Sequence, residues 1–419
     1  MDFLHEFSNN VLHNLFKPLL LFFYMGFSVP LLKVPFEFPH VLYQGLTMYL
    51  LISIGWKGGE ELAELSAKEF FHAGGFMLIG FITNFLIGFL SYFVLKNFAK
   101  LRQIDAATVA GYYGSDSAGT FVTCQGVLAS QKTPYAAFMP VLLAVMEIPG
   151  CLVALLLVSR MRANGMDPRG NMPGEPGYDP RPLPDSLEEE VGHGHQSHGS
   201  GHATAASHRA KVLPSATAAQ HEEEEVAAEK RFNSFINWEL LHEVFLNPGL
   251  FLLFGGILIG FVGRSQGHAV TDADDALFVT LFQGALCLFL LEMGMTACKR
   301  LRDLKTAGWR FVAFALVGPN VFATIGILVT HAYGLALGHQ FDLGTYVLFA
   351  VLCGAASYIA VPAVQRLAIP EASPTLPLAA SLGVTFSYNV TIGIPIYLEI
   401  AKLVTNWLPI AGHVASQVT

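Results

Sequence analysis

The chain has 419 residues, 53% of them hydrophobic and 13% charged, where a soluble domain averages about 25% charged. One soluble core cannot hide that much apolar chain, so the composition points to a membrane protein and excludes wholesale disorder and a disulfide-stapled secreted fold. The five cysteines (Cys124, Cys151, Cys287, Cys298, Cys353) lie in or beside apolar stretches, as small core residues do, and a net charge of -8 argues against a nucleic-acid partner.

Residues 3–16 place Leu4, Phe7, Val11 and Leu15 on one helical stripe. That reads as an amphipathic helix, lying at the membrane interface or packed on the body. With Asp2, Glu6 and no basic n-region, the N-terminus is not read as a cleavable signal. A spanning helix needs about 20 mostly apolar residues. Candidate spans are 17–33, 40–57, 72–98, 105–126 and 134–160, then 247–264, 276–297, 308–335, 344–366 and 374–404. The GGEELAEL run after the second span reads as a solvated loop or short surface helix.

Residues 161–232 interrupt this pattern with Pro/Gly-rich sequence, a His/Gly/Ser run and HEEEE. The composition predicts a disordered linker between two membrane halves, 1–160 and 233–419. His193, His195, His198 and His202, with His208 and His221 beyond, could bind metal. Their spacing matches no fixed tetrahedral pattern, so a solvated low-complexity tract is preferred. Lys and Arg are biased 18 to 6 toward the loops after the odd-numbered spans, and 10 to 6 without the linker. The positive-inside rule then puts the linker in the cytoplasm and both termini outside.

Five spans, a linker and five spans suggest a duplication, and local matches agree. KPLLLFFYMGF at 17 resembles NPGLFLLFGGI at 247, LLISIG at 50 resembles FLLEMG at 289, and Ile148-Pro149 resembles Ile394-Pro395. Because five is odd, the second copy must enter from the opposite side. Such inverted repeats frame alternating access in secondary transporters.

The fourth and ninth spans are poor hydrophobic helices at equivalent positions. They read DAATVAGYYGSDSAGTFVTC and LCGAASYIAVPAVQRLAIP. A mid-span Asp116 costs about 2.5–3.5 kcal/mol on insertion scales, so it must meet water, protein or an ion. The reading is two helices broken near the midplane. Freed N–H groups with a positive dipole end would hold an anion, and freed carbonyls, hydroxyls and a carboxylate would hold a hard cation such as Na+. Ser115, Asp116, Ser117 and Thr120, with Ser357 and Tyr358 opposite, are the cation candidates. Gly114, Ser117, Ala118, Gly119 and Thr120, with Ala360 and Val361 opposite, are the anion candidates, chiefly through backbone near Gly119 and Ala360. Tight small-residue packing is the competing explanation. Glu147, just before Pro149, is a gating, proton-coupling or structural residue. Asn84, Asn320 and Asn389 read as interhelical glue. Glu292 and Glu399 lie nearer span ends. Neither a P-loop nor a metallohydrolase or nucleophile-elbow motif is present, so the chain is read as no enzyme and needs no organic cofactor.

Taken together, these residues resemble the SbtA-type sodium-dependent bicarbonate transporters. The resemblance runs through nearly everything outside 161–232: the opening MDFL, Ile54-Gly55 with Gly58-Gly59, Met146 to Pro149, Met293-Gly294-Met295, and Ile369-Pro370-x-Ala372-x-Pro374. It implies an all-α polytopic protein of a bacterial inner membrane, with ten transmembrane helices in two inverted five-helix repeats, assembled as a homotrimer. It also implies bicarbonate and Na+ bound between broken helices four and nine, and a cytoplasmic PII-like regulator. Mapped residue by residue, the first binding loop falls on Gly114, Ser115, Asp116, Ser117, Ala118, Gly119 and Thr120, and the second on Ala355 to Pro362, including Ser357, Tyr358, Ala360 and Val361. The sequence departs from the family in that second loop. Tyr358 stands where the family has an acid, while Asp116 stands where the family has an apolar residue. The expected function is Na+-coupled import of bicarbonate or a similar small anion. A proton-coupled anion carrier and a non-transporting membrane anion sensor are the alternatives.

Overall fold

The computed structural model describes residues 16–181, 248–301, 304 and 308–410. The amphipathic stripe at 3–16 (but for its last residue), the His-rich and HEEEE tracts and the 232/233 boundary lie outside them. The described residues are helical without strands. In chain order the first part holds α1 (Pro18–Leu31), α2 (His40–Ala63), α3 (Ala67–Val94), α4 (Gln103–Tyr113), α5 (Ala118–Ser130), α6 (Met139–Met146) and α7 (Ile148–Ala163). The second holds α8 (Pro248–Ser265), α9 (His268–Asp275), α10 (Phe282–Leu301), α11 (Trp309–Leu337), α12 (Leu343–Gly354), α13 (Ala360–Ala368) and α14 (Ile394–Trp407). Wide π-type turns over Ala379–Phe386 and Asn389–Gly393 lead into α14.

Among the described residues, six helical stretches are long and apolar enough to cross a membrane: Glu69–Ala99, Met139–Ala163, Pro248–Ser265, His268–Leu301, Trp309–Leu337 and Leu376–Trp407. Large apolar side chains such as Phe71, Leu78, Leu86, Leu258 and Val317 stand exposed along them, as a lipid-facing surface requires. Broken helices α4–α5 and α12–α13 are instead buried along most of their length.

The two most extensive helix crossings between the halves are α1 on α10, and α2 on α8. Both depend on backbone approaching backbone, which only glycine permits. A Cβ on Gly26 would collide with the Leu291 carbonyl, and one on Gly256 would lie 2.7 Å from the Ile52 carbonyl. Added at Gly55 it would strike the Leu253 carbonyl, and at Gly294 that of Phe23. In the duplication alignment Gly26 matches Gly256, Leu291 matches Ile52, Gly55 matches Gly294, and Leu253 matches Phe23. Each contact therefore has its counterpart in the other half. Gly55-x-x-x-Gly59 on α2 faces Gly256-x-x-x-Gly260 on α8, the small-residue seam that lets membrane helices pack without a hydrophobic drive.

α2 runs on to Ala63, so GGEELA is helix and not a loop. Gly58 and Gly59 are buried against Pro140 and Ile257, and Arg264 meets Glu60 at 3.6 Å and Glu64 at 2.7 Å. At the opposite ends of the helices Arg162 pairs with Glu371 at 2.7 Å, and Asp105 accepts from the Ser373 N–H at 2.9 Å.

The expectation of a structureless linker is corrected for 164–181, an ordered loop on that second face. Asp167 accepts from the N–H groups of Arg169 (2.9 Å), Asn171 (2.7 Å) and Asp179 (2.8 Å) and from the Asn171 amide (3.2 Å). Glu175 accepts from the Met172 N–H (2.7 Å) and from that of Gln103 (2.8 Å), the first residue of α4. Gly165, Gly170, Gly174 and Gly177 take positive φ values of 83–89° at the turns, where other residues are strained. The segment is poor in apolar residues, as its composition says. Met166 and Met172 pack on the core, and side-chain-to-backbone hydrogen bonds hold the rest.

Candidate functional site

α4 stops at Tyr113 and α5 starts at Ala118, which leaves Gly114–Ser117 as an irregular joint. Ser117 caps α5, accepting from the Thr120 N–H at 3.3 Å and its hydroxyl at 3.0 Å. The second joint runs from Ala355 to Ile359, between α12 and α13. The joints are tied to each other: the Ser357 N–H donates to the Tyr112 carbonyl at 2.8 Å, and Gln365 on α13 donates to the Thr108 carbonyl on α4 at 3.2 Å. Tyr112 is next to last in α4, so this bond satisfies one of the carbonyls that a helix end leaves orphaned.

Asparagines satisfy others. Asn84 donates to the carbonyls of Met146 (3.2 Å) and Leu352 (3.3 Å). Asn389, itself held by the Tyr397 hydroxyl at 2.6 Å, donates to the Gly354 carbonyl at 2.9 Å. Asn84 and Asn389 are thus glue, as their positions suggested. Asn320 meets Tyr388 at 2.7 Å, away from the joints.

A small cavity of about 20 Å³ opens where the joints meet, lined by Ser117, Ala118, Glu147, Ser357, Tyr358 and Ile359 with apolar walls that include Leu51, Leu143 and Leu253. That volume holds about one water molecule. Ser117 and Ala118 begin α5, while Ile359 immediately precedes α13, so the positive ends of both half-helices border one void. Glu147 marks the bend between α6 and α7 and accepts from the Ser357 hydroxyl at 3.1 Å.

Asp116 is fully buried and neither carboxylate oxygen has a hydrogen-bond partner. Glu147 and Cys353 lie within its electrostatic reach. A carboxylate in that position lacks the compensation that buried charge requires, and a hard cation would supply it. Among the described residues no three His, Cys, Asp or Glu side chains gather into a metal cluster, so hydroxyl and backbone oxygens would complete such a site.

Of the residues singled out from sequence, Ser117, Ala118, Ser357, Tyr358 and Glu147 share the cavity. Gly114, Ser115, Asp116, Gly119, Thr120 and Val361 are outside its lining. Gly114 sits where three backbones converge, its added Cβ 2.9 Å from Gly88 and 3.1 Å from Gly150. The Ser115 hydroxyl donates to the Glu147 carbonyl at 2.6 Å. Sequence reasoning passed over Gln365 and Cys353; in a single chain an amide or thiol in an apolar helix carries no mark of its partner.

A polytopic helical membrane protein with two helices interrupted at one buried polar void is the architecture of a solute transporter. A profile of the Na+-dependent bicarbonate transporter superfamily matches residues 18–402. The chain belongs to that superfamily, which is a family of transporters and not of enzymes. No curated protein matches the chain.

Proposed function

We propose that this protein is a Na+-coupled symporter that imports bicarbonate, or a similar small anion, by alternating access. The observation that carries the reading is the pair of broken helices tied at Tyr112–Ser357, with an unpartnered, fully buried Asp116 carboxylate in the first joint. The cation would bind at Asp116, with Glu147 and the oxygens of Ser115, Ser117, Thr120 and Ser357 completing its shell. The anion would bind at the starts of α5 and α13, near Gly119 and Ala360. A void of one water is too small for bicarbonate, so the reading assigns this state to a transporter closed around its site.

The matched glycine contacts support ten spans in two inverted repeats. Alternating access is then a rocking of the α4–α5 and α12–α13 elements against the α1–α10 and α2–α8 seams. The face bearing Arg102, Arg162, Arg310 and Arg366 is assigned to the cytoplasm of a bacterial inner membrane. Uptake of labelled bicarbonate into proteoliposomes under an imposed Na+ gradient tests the proposal, and absence of gradient-dependent uptake refutes it. The closeness of Asp116 to Glu147 favours one second reading, in which the two carboxylates share a proton. A pH gradient would then drive uptake without Na+.

A further inference from the structure

We propose that the phenolic hydroxyl of Tyr358 is a specificity-determining donor to the anion and not a ligand of the cation, an inference that rests on the transport reading above. Tyr358 is 8% exposed, and its hydroxyl makes no hydrogen bond of good geometry, with the Ser117 side chain its nearest polar neighbour. The ring is held edge-on against Phe386, with centroids 5.3 Å apart at 72°, so the hydroxyl has a defined place. That place is the start of α5, where a Cβ on Gly119 would collide with it.

Ser357 donates to Glu147, and the Ser117 oxygen already accepts twice from Thr120. The O–H of Tyr358, with that occupied oxygen its nearest neighbour, lacks a good acceptor, which is unfavourable for a buried polar group unless a ligand takes it. Beside it are the first-turn N–H groups of Ala118 and Gly119, which no intrahelical carbonyl can reach. A neutral O–H donor and helix N–H groups together suit an anion. A cation is better served by Asp116 and Glu147. The ligand class is a small oxyanion that accepts the phenol on one oxygen and the α5 N–H groups on another.

The test is Tyr358→Phe, which removes only the oxygen. In detergent-solubilised full-length protein with Na+ present, the apparent Kd for bicarbonate should rise about tenfold. In proteoliposomes KM for the anion should rise by the same factor, while the Na+ concentration for half-maximal uptake at saturating anion is unchanged. The variant should melt no lower than the unsubstituted protein, since it loses an unpaired buried oxygen. An unchanged bicarbonate Kd, or a loss of Na+ affinity in its place, overturns the assignment. Bicarbonate binding without uptake by the unsubstituted protein defeats the transport reading and leaves the Tyr358 assignment standing. Failure to bind bicarbonate at all defeats both.

Discussion

Asp116→Ala separates a cation-binding carboxylate from a merely buried one. In Na+-free buffer the unsubstituted protein keeps a fully buried carboxylate whose two oxygens have no partner. Such a group costs about 1–3 kcal/mol, more when charged, and the small void left by alanine offsets part of the relief. The variant should therefore gain about 1–2 kcal/mol, or about 1–2 °C in melting temperature for a chain of this length. Sodium should act in the opposite sense. At 100 times its Kd a ligand stabilises by about 2.7 kcal/mol, so Na+ should raise the melting point of the unsubstituted protein by about 3 °C and leave the variant's unchanged. Differential scanning fluorimetry in choline chloride and then in NaCl reads both effects. A variant that melts lower without Na+, or that keeps the full Na+ shift, would refute the placement of the cation at Asp116.

The α2–α8 seam should not tolerate side chains: Gly256→Leu drives a side chain into the Ile52 carbonyl and should cost about 1–3 kcal/mol, read as a lower melting point. Arg162 and Glu371, about four-fifths buried, should show a coupling of about 1 kcal/mol, discounted for residual solvent, in a double-mutant cycle of thermal stability. Asp167→Ala should unfasten the 164–181 loop and speed tryptic cleavage at Arg169 and Arg181 without abolishing the fold. The same loop should respond to acid. Burial pushes the Asp167 carboxyl up, but hydrogen bonds from Asn171, Asp179 and Arg169 outweigh it and hold it below the usual range. A depressed carboxyl contributes stability that is present above the unfolded value near 3.9 and lost as pH falls through the folded one. Hydrogen exchange at the Asn171 and Asp179 amides should thus stay slow at pH 5 and accelerate only below about pH 4.

Much of this protein is written along the chain. Hydrophobic length and scarce charge specify a helical membrane body, because transfer free energy depends on composition alone. The two Gly/Ala/Ser-rich stretches declare that their helices break, since those residues and a mid-span acid make a poor apolar helix. Even the duplication can be read, through matches around Gly26 and Gly256, and Gly55 and Gly294. Partners are another matter. That the Tyr112 carbonyl meets the Ser357 N–H, that Asn84 serves two helices at once, and that the Tyr358 hydroxyl ends beside Gly119 all depend on residues far apart in sequence and brought within 3–4 Å by packing. Composition also misjudged 164–181, because hydrogen bonds to Asp167 and Glu175 order a chain poor in apolar residues, and no average over residue types registers them. The scarce charge with which the chain announces itself decides where the protein resides. Tertiary structure alone leaves one of those charges, Asp116, buried without a partner, and that is the feature on which the proposed coupling turns.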